Sequence, residues 1–227
     1  MTTLESATWS KMSFMNGVFI TGSNTEVGKT TVLVEIIKHL RKRRKIVVRK
    51  PVETDCEMVK GSYVPKDAIK LNEACASGED IAVVCPFCYE LEASPEEASV
   101  FADSPLELFD LVKACQSKAG EQFVFVEGAG GIYSPIANNA LNSDLAIELK
   151  MPIIIVVKDE LGAIGQALLS INAAQTNNLD IACVVLNEMA PNHLSNAQAL
   201  RAYTKVPVLE YSKNNQKLFC AEIEKLI

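Results

Sequence analysis

The chain has 227 residues, 48% hydrophobic and 22% charged, with a formal net charge of −6 and a pI of about 5.1. That length builds one well-buried domain and crowds out a second. The acidic balance argues against nucleic acid held through its phosphates, and no apolar run reaches the ~20 residues that a bilayer span needs.

Residues 1–16 are polar around a lone Trp9 and contain no signal-peptide core; they read as a leader or tag without ordered structure, leaving 17–227 as the compact domain. An apolar strand, Gly17 to Thr21, feeds a glycine-containing loop and a helix from about Lys29 to Arg44. Val32, Leu33, Ile36, Ile37 and Leu40 give that helix one apolar face. The basic run Arg41-Lys42-Arg43-Arg44-Lys45 sits where cations meet the negative end of the helix dipole. A second strand, Ile46 to Arg49, ends at Lys50-Pro51, and a polar segment runs from Val52 to Lys66. Helices are predicted near Asp67 to Ala76 and from about Pro105 to Lys118. The strand Phe123 to Val126 leads into a glycine-rich turn, and a short helix follows with Ser143 as its cap. Pro152 to Val157 is almost all β-branched, as a strand buried on both faces should be. A helix over Ala163 to Thr176 and a strand from Ile181 to Leu186, ending on Asn187, follow. A helix near Ser195 to Tyr203, a short strand at Val206 to Leu209 and a helix after Ser212 complete the pattern. Strands alternating with helices predict an α/β fold, a mostly parallel sheet flanked by helices on both faces.

In such sheets ligands bind at the carboxyl ends of the strands. Three candidate motifs follow strands directly: the loop at Gly22, Lys50, and Glu127. The loop reads Gly22-Ser23-Asn24-Thr25-Glu26-Val27-Gly28-Lys29-Thr30, between a strand and an amphipathic helix. That context suits a phosphate-binding loop, hence a single-domain P-loop fold. Backbone N–H groups face phosphate oxygens, Lys29 supplies a point charge, and the Thr30 hydroxyl reaches Mg²⁺. The usual spacing places the first glycine at position 23, where this chain has Ser23; its glycine comes one residue earlier. Mg²⁺ takes few protein oxygen ligands; Thr30 and Glu127 are candidates, and Asp67 by itself reads as a helix cap in Pro65-Lys66-Asp67.

Seven cysteines, an odd number at scattered spacings, imply no disulfide framework and fit a reducing cytoplasm. Cys85-Pro86-Phe87-Cys88 has no second cysteine pair or histidine cluster to support zinc. His39 and His193 are isolated and read as surface or helix residues.

Four blocks in order resemble the dethiobiotin synthetase family. They are Thr25 to Thr30, Lys50-Pro51-Val52 with Thr54, Val126 to Gly131, and Leu161-Gly162-Ala163-Ile164, and they span most of the chain from Gly17 to Asn187. The resemblance implies a homodimeric, ATP- and Mg²⁺-dependent cyclo-ligase of biotin biosynthesis. It converts 7,8-diaminononanoate and CO₂ to a ureido ring through a carbamate and a carbamic–phosphoric anhydride. It assigns Lys50 to the carbamate and the transferring phosphoryl group, and Thr30, Asp67 and Glu127 to Mg²⁺. Nucleotide contacts fall to Glu26, Val27, Gly28, Lys29, Thr30, Thr31, Asp67, Glu127, Gly128, Ala129 and Gly130, with Asn187 and Glu188 near the base. Thr25, Lys50 and Thr54 line the diamine site. The helix start Gly162, Ala163, Ile164 and Gly165 holds the substrate carboxylate of the partner subunit.

The chain departs from the family in three places. Gly165 replaces a common asparagine, so backbone donors should carry more of the carboxylate recognition. Around Val206 to Tyr211 it lacks the expected Gly-x-Ile-Pro stretch, which predicts weaker selection of the base. Glu53 and Asp55 add acids beside Thr54, either to favour a diammonium substrate or as loop surface. A nucleotide-switched dimer like the partitioning ATPases would usually carry a second lysine early in the loop, where Ser23 and Asn24 stand. An amidotransferase-type synthetase would need a glutaminase domain for which the chain has no room.

Overall fold

The computed structural model describes residues 15–227, and the expected leader lies outside them apart from Met15 and Asn16. Met15 packs against the core, and the Asn16 carbonyl accepts from the Val124 amide at 2.9 Å. The first half of the chain forms β1 (Gly17–Gly22), α1 (Lys29–Leu40), β2 (Ile46–Arg49), β3 (Val52–Glu53), β4 (Glu57–Val59), β5 (Ser62–Val64), α2 (Lys66–Cys75), α3 (Ile81–Val84), β6 (Phe87–Cys88), α4 (Pro95–Phe101) and α5 (Leu108–Gln116). The second half forms β7 (Phe123–Gly131), β8 (Pro135–Ala137), β9 (Ala140–Leu141), α6 (Asn142–Leu149), β10 (Ile153–Lys158), α7 (Ala163–Thr176), β11 (Ile181–Asn187), α8 (Asn196–Arg201), β12 (Val208–Tyr211) and α9 (Gln216–Ile223).

Six strands form one sheet in the order β12-β11-β10-β1-β7-β2, with every neighbouring pair parallel. Strand alternation splits the apolar residues between two cores. Phe19, Val124, Val126, Ile153 and Ile155 face α5, α6 and α7 through Leu111, Leu145 and Ala167. Val18, Ile20, Phe125, Ile154 and Val156 face α1, α2 and α9 through Ile36, Leu71 and Phe219. Helices thus cover both faces, as β-branched runs buried on two sides require. β1 lies between β7 and β10, so its loop opens where chain order departs in both directions, the crevice that favours ligands.

Several elements differ from the sequence expectation. α1 stops at Leu40, and the basic run beyond it is mostly exposed, with its three arginines also tethered to other elements. Arg41 donates to the Ala74 carbonyl at 2.7 Å, Arg43 pairs with Glu224, and Arg44 lies 4.2 Å over the Phe123 ring. His39 meets Glu224 at 2.8 Å, so it is not isolated; it helps to fasten α9 to α1. The glycine-rich segment after Val126 is no turn. It continues β7 as far as Gly131, which pairs with Gly22. Ser143 lies inside α6, and the Asp144 carboxylate instead accepts from the Leu141 amide at 2.7 Å. The polar segment after Val52 holds three short strands, and α3, β6 and α4 were not expected at all. β12 begins two residues late, at Val208, because Tyr211 packs edge-on against Phe219 at 5.0 Å and so belongs to the sheet.

Arg49 fixes the edge of the sheet just before the site. It is wholly buried, donates to both Glu79 oxygens at 3.0 Å, and reaches the Val48 and Ser117 carbonyls at 2.7 Å. The next amide, that of Lys50, donates to the Val84 carbonyl at 2.9 Å. The chain therefore leaves β2 on a fixed course.

Candidate active site

The loop between β1 and α1 explains its displaced glycine. A side chain at Gly22 would come within 2.7 Å of both the Asn24 carbonyl oxygen and the Val27 side chain, so the glycine is needed at 22 and not at 23. Ser23 is free to carry a hydroxyl, which donates to Gln166 Oε1 on α7 at 3.0 Å. Gly28 takes φ 85° at the start of α1, and the Asn187 amide packs where its Cβ would stand. Asn187 Nδ2 donates to the Val27 carbonyl at 2.8 Å, pinning the back of the loop to the end of β11. Lys29 Nζ folds back to the Asn24 carbonyl at 3.1 Å. Burial lowers its pKa to about 8, with Glu127 opposing the shift.

An open cleft of about 1020 Å³ lies over this loop. Thr25, Glu26, Gly28, Lys29, Thr30 and Thr31 line it from the loop and helix start. Lys50 and Thr54 line it from the segment after β2, Asp67 from α2, and Glu127, Ala129 and Gly130 from β7. On the floor of the cleft lies a buried cation among oxygens. Lys50 Nζ donates to Glu127 Oε1 at 2.9 Å and reaches the Gly128 carbonyl at 3.5 Å. The Thr30 hydroxyl donates to the same Glu127 oxygen at 2.9 Å. Burial pulls the Lys50 ammonium down, but Glu127, Glu53 and Asp67 outweigh it and hold its pKa above the ordinary lysine value. Lys50 therefore stays charged at any working pH.

Asp67 sits within the first turn of α2, behind Pro65 at the cap position, so it is not the helix cap. Its carboxylate accepts from Lys70 at 2.9 Å. Burial raises its pKa, but Lys70, Lys50 and the Thr30 hydroxyl more than offset that and leave it below the usual aspartate range. Thr30, Asp67 and Glu127 thus converge, and Glu127 Oε2 is buried without a hydrogen-bond partner. Two carboxylates and a hydroxyl, one oxygen unspent, fit Mg²⁺. Among the described residues no group of three His, Cys, Asp or Glu is placed to hold a metal alone.

Sequence reasoning missed Asn142. Fully buried at the start of α6, it donates through Nδ2 to the carbonyls of Ala129 at 2.6 Å, Gly131 at 2.9 Å and Ser134 at 3.3 Å. Its Oδ1 accepts from the Ala129 amide at 3.1 Å. It shapes the β7 extension that floors the cleft. The only local signal was an amide residue beside a helix start, and the neighbouring serine competed for that role.

Not every candidate joins the cleft. Val27 and Gly128 are buried beneath it. Asn187 is spent on the loop, and the Glu188 amide donates to the Tyr211 carbonyl at 2.8 Å. Gly162 caps α7, with Ala163 buried below it and Ile164 half-buried. Gly162 and Gly165 are open to solvent, outside the residues that line this chain's own cleft. Cys85 Sγ and Cys88 Sγ are 3.7 Å apart, and all seven cysteines are free thiols.

Comparison with known proteins gives three results. A family model described as an AAA domain matches residues 16–216. The chain is 46% identical to the ATP-dependent dethiobiotin synthetase BioD of Ruthia magnifica subsp. Calyptogena magnifica, over 94% of this chain and 99% of that protein. It is 32% identical to the protein of the same name from Anaeromyxobacter dehalogenans (strain 2CP-C), over 78% of each. Solved structures share its fold. A ParA family ATPase from Chlorobium tepidum TLS superposes with TM-score 0.53 at 11% identity, covering 93% of this chain and 91% of the other. HypB from Helicobacter pylori superposes with TM-score 0.53 at 20% identity, covering 94% and 86%.

Proposed function

The chain belongs to the ATP-dependent dethiobiotin synthetase family, and we propose that Lys50, held between Glu127 and the Gly128 carbonyl, is the group that stabilises its transferring phosphoryl. The protein is an ATP-dependent carbon–nitrogen ligase that forms dethiobiotin. Its substrates are 7,8-diaminononanoate, CO₂ and ATP. One amine adds to the carbon of CO₂ and releases a proton, giving a carbamate. A carbamate oxygen attacks the γ-phosphorus and expels ADP. The second amine then attacks the carbamoyl carbon and loses a proton, the anhydride C–O bond breaks with its electron pair going to the departing phosphate, and the ureido ring closes.

Each residue serves a step. Lys29 and the amides around Gly28 hold the β- and γ-phosphates at the start of α1. Lys50 faces both the carbamate and the γ-phosphate, and its locked charge offsets the negative charge that builds during transfer. Thr30, Asp67 and Glu127 hold Mg²⁺, which would neutralise the phosphate oxygens. Thr25 and Thr54 flank the diamine. The single observation carrying this reading is a lysine, nine-tenths buried, that donates to a buried carboxylate with an oxygen to spare beside the phosphate loop. The deciding experiment combines protein, diamine, bicarbonate and MgATP. Phosphate release equals dethiobiotin formed and stops without the diamine; diamine-independent phosphate release overturns the reading. Because Asn187 and the Glu188 backbone are engaged within the fold, we expect GTP and CTP to support turnover within about tenfold of ATP, a difference of about 1.4 kcal/mol.

The carboxylate end of the diamine fits the N-terminus of α7 in a second subunit. Leu161 and Leu169 are 89% and 74% exposed on and beside that helix, and Tyr133 is exposed nearby, its hydroxyl 3.5 Å from the Ala173 carbonyl. An apolar face next to unspent helix N–H groups suits a homodimer whose substrate bridges subunits. Leu169→Glu should give a monomer in sedimentation and raise the diamine KM about tenfold, with ATP affinity kept. A dimeric variant with unchanged KM sinks this arrangement. The free thiols fit a cytoplasmic enzyme.

A further inference from the structure

We propose that Glu53 is a positioning residue for the metal site: it closes the N-terminus of α2 from outside the helix and so holds Asp67 in line with Thr30 and Glu127. The inference rests on the reading of Asp67 as a magnesium ligand. A helix needs acceptors for its first amides. α2 has Pro65 at its cap position, and that side chain offers none. Glu53 supplies them instead. Its Oε1 accepts from the Asp67 amide and its Oε2 from the Ala68 amide, both at 2.9 Å. The residue is 8% exposed, so both oxygens are committed inside the fold. Glu53 is therefore not loop surface: it lines the cleft with both oxygens already engaged at the start of α2.

The anchor is itself fixed. β3 pairs with β6 in parallel register, Val52 with Phe87 and Glu53 with Cys88. The Tyr89 amide donates to the Glu53 carbonyl at 3.0 Å, and Cys56 Sγ contacts the same oxygen at 3.4 Å. Lys50 lies three residues upstream on the same run. One short strand thus sets two groups at once: it carries on from the catalytic lysine and, through one carboxylate, places the aspartate of the metal set. An α2 without this clasp frays in its first turn, and Asp67 leaves the site with it.

The test uses Glu53→Gln, Glu53→Ala, the double variant Glu53→Ala with Pro65→Ser, and Asp67→Asn in the full chain. Manganese binding to the protein–ADP complex is followed by electron paramagnetic resonance, and amide hydrogen exchange at Asp67 and Ala68 is read without metal or nucleotide. The expected result is about tenfold weaker manganese binding in Glu53→Ala and a smaller loss in Glu53→Gln. Exchange at Ala68 should be faster in both, while the affinity for metal-free ADP keeps its wild-type value. Pro65→Ser places a local cap on the helix and restores both manganese binding and protection. Wild-type manganese affinity in Glu53→Ala, or a raised diamine KM with unchanged manganese binding, overturns the proposal. Wild-type manganese binding in Asp67→Asn overturns the ligand reading beneath it and thereby this proposal as well. Should Glu53→Ala fail to fold, the near-isosteric Gln variant decides on the same two readouts.

Discussion

Lys50→Gln lowers kcat about 10³-fold, or about 4 kcal/mol of transition-state stabilisation, and leaves ADP and ATP affinity nearly unchanged. The reason is placement. Lys29 opens the helix after the loop, where a triphosphate would already meet it in the ground state, whereas Lys50 follows β2, beyond β7 in the sheet, and lines the cleft from there. Its contact grows as charge moves onto the transferring phosphoryl, so its loss appears in kcat rather than in binding. Glutamine keeps an amide donor pointed at Glu127 on a chain one atom shorter, and the Thr30 hydroxyl still donates to the same Oε1 at 2.9 Å. Calorimetric titration with ADP and steady-state phosphate release separate the two effects. Turnover within tenfold of wild type removes Lys50 from the chemistry, and a parallel loss of nucleotide affinity assigns it to binding.

Asn142→Ala destabilises the protein by about 3 kcal/mol, because the amide and carbonyl of half-buried Ala129 lose their partner together, while the Gly131 and Ser134 carbonyls keep the Ser134 and Asn142 amides. For a domain of this size that lowers Tm by about 6–12 °C. Activity falls further than stability alone dictates, since the unpinned strand is the floor on which Glu127, Ala129 and Gly130 stand. Thermal unfolding alongside kcat/KM at a temperature where both proteins are folded checks the two parts. An unchanged Tm shows that water replaces the asparagine and that the network is dispensable.

The strands were legible because burial on both faces leaves a continuous β-branched run, and Ile153–Lys158 shows it most plainly. The helix at Ala163–Thr176 begins and ends where expected, since a glycine cap and an apolar stripe are both local signals. The triphosphate loop was legible for the same reason. What stayed hidden depends on partners far along the chain. Glu53 looked like loop acidity because the helix it caps starts beyond a hairpin. Asn142 looked like helix preamble because its carbonyl partners lie on β7. The partners of Arg43 and Arg44 in the exposed run Arg41–Lys45 were hidden because Glu224 and Phe123 come much later. Short elements such as α3 and β6 hold two to four residues and carry no period to detect.

The pairing of β1 has a consequence for how the protein comes into being on the ribosome. Phe19 takes one neighbour from Val126 and the other from Ile153, so β1 emerges well before both of the strands that flank it. Closing such long loops is slow, and an apolar strand with both edges unpaired is exposed meanwhile. Nascent chains released before β10 should be aggregation-prone and unable to hold nucleotide, although they contain the whole phosphate loop. Competence for ATP arrives late in synthesis, when the middle strand of the sheet is finally flanked on both sides.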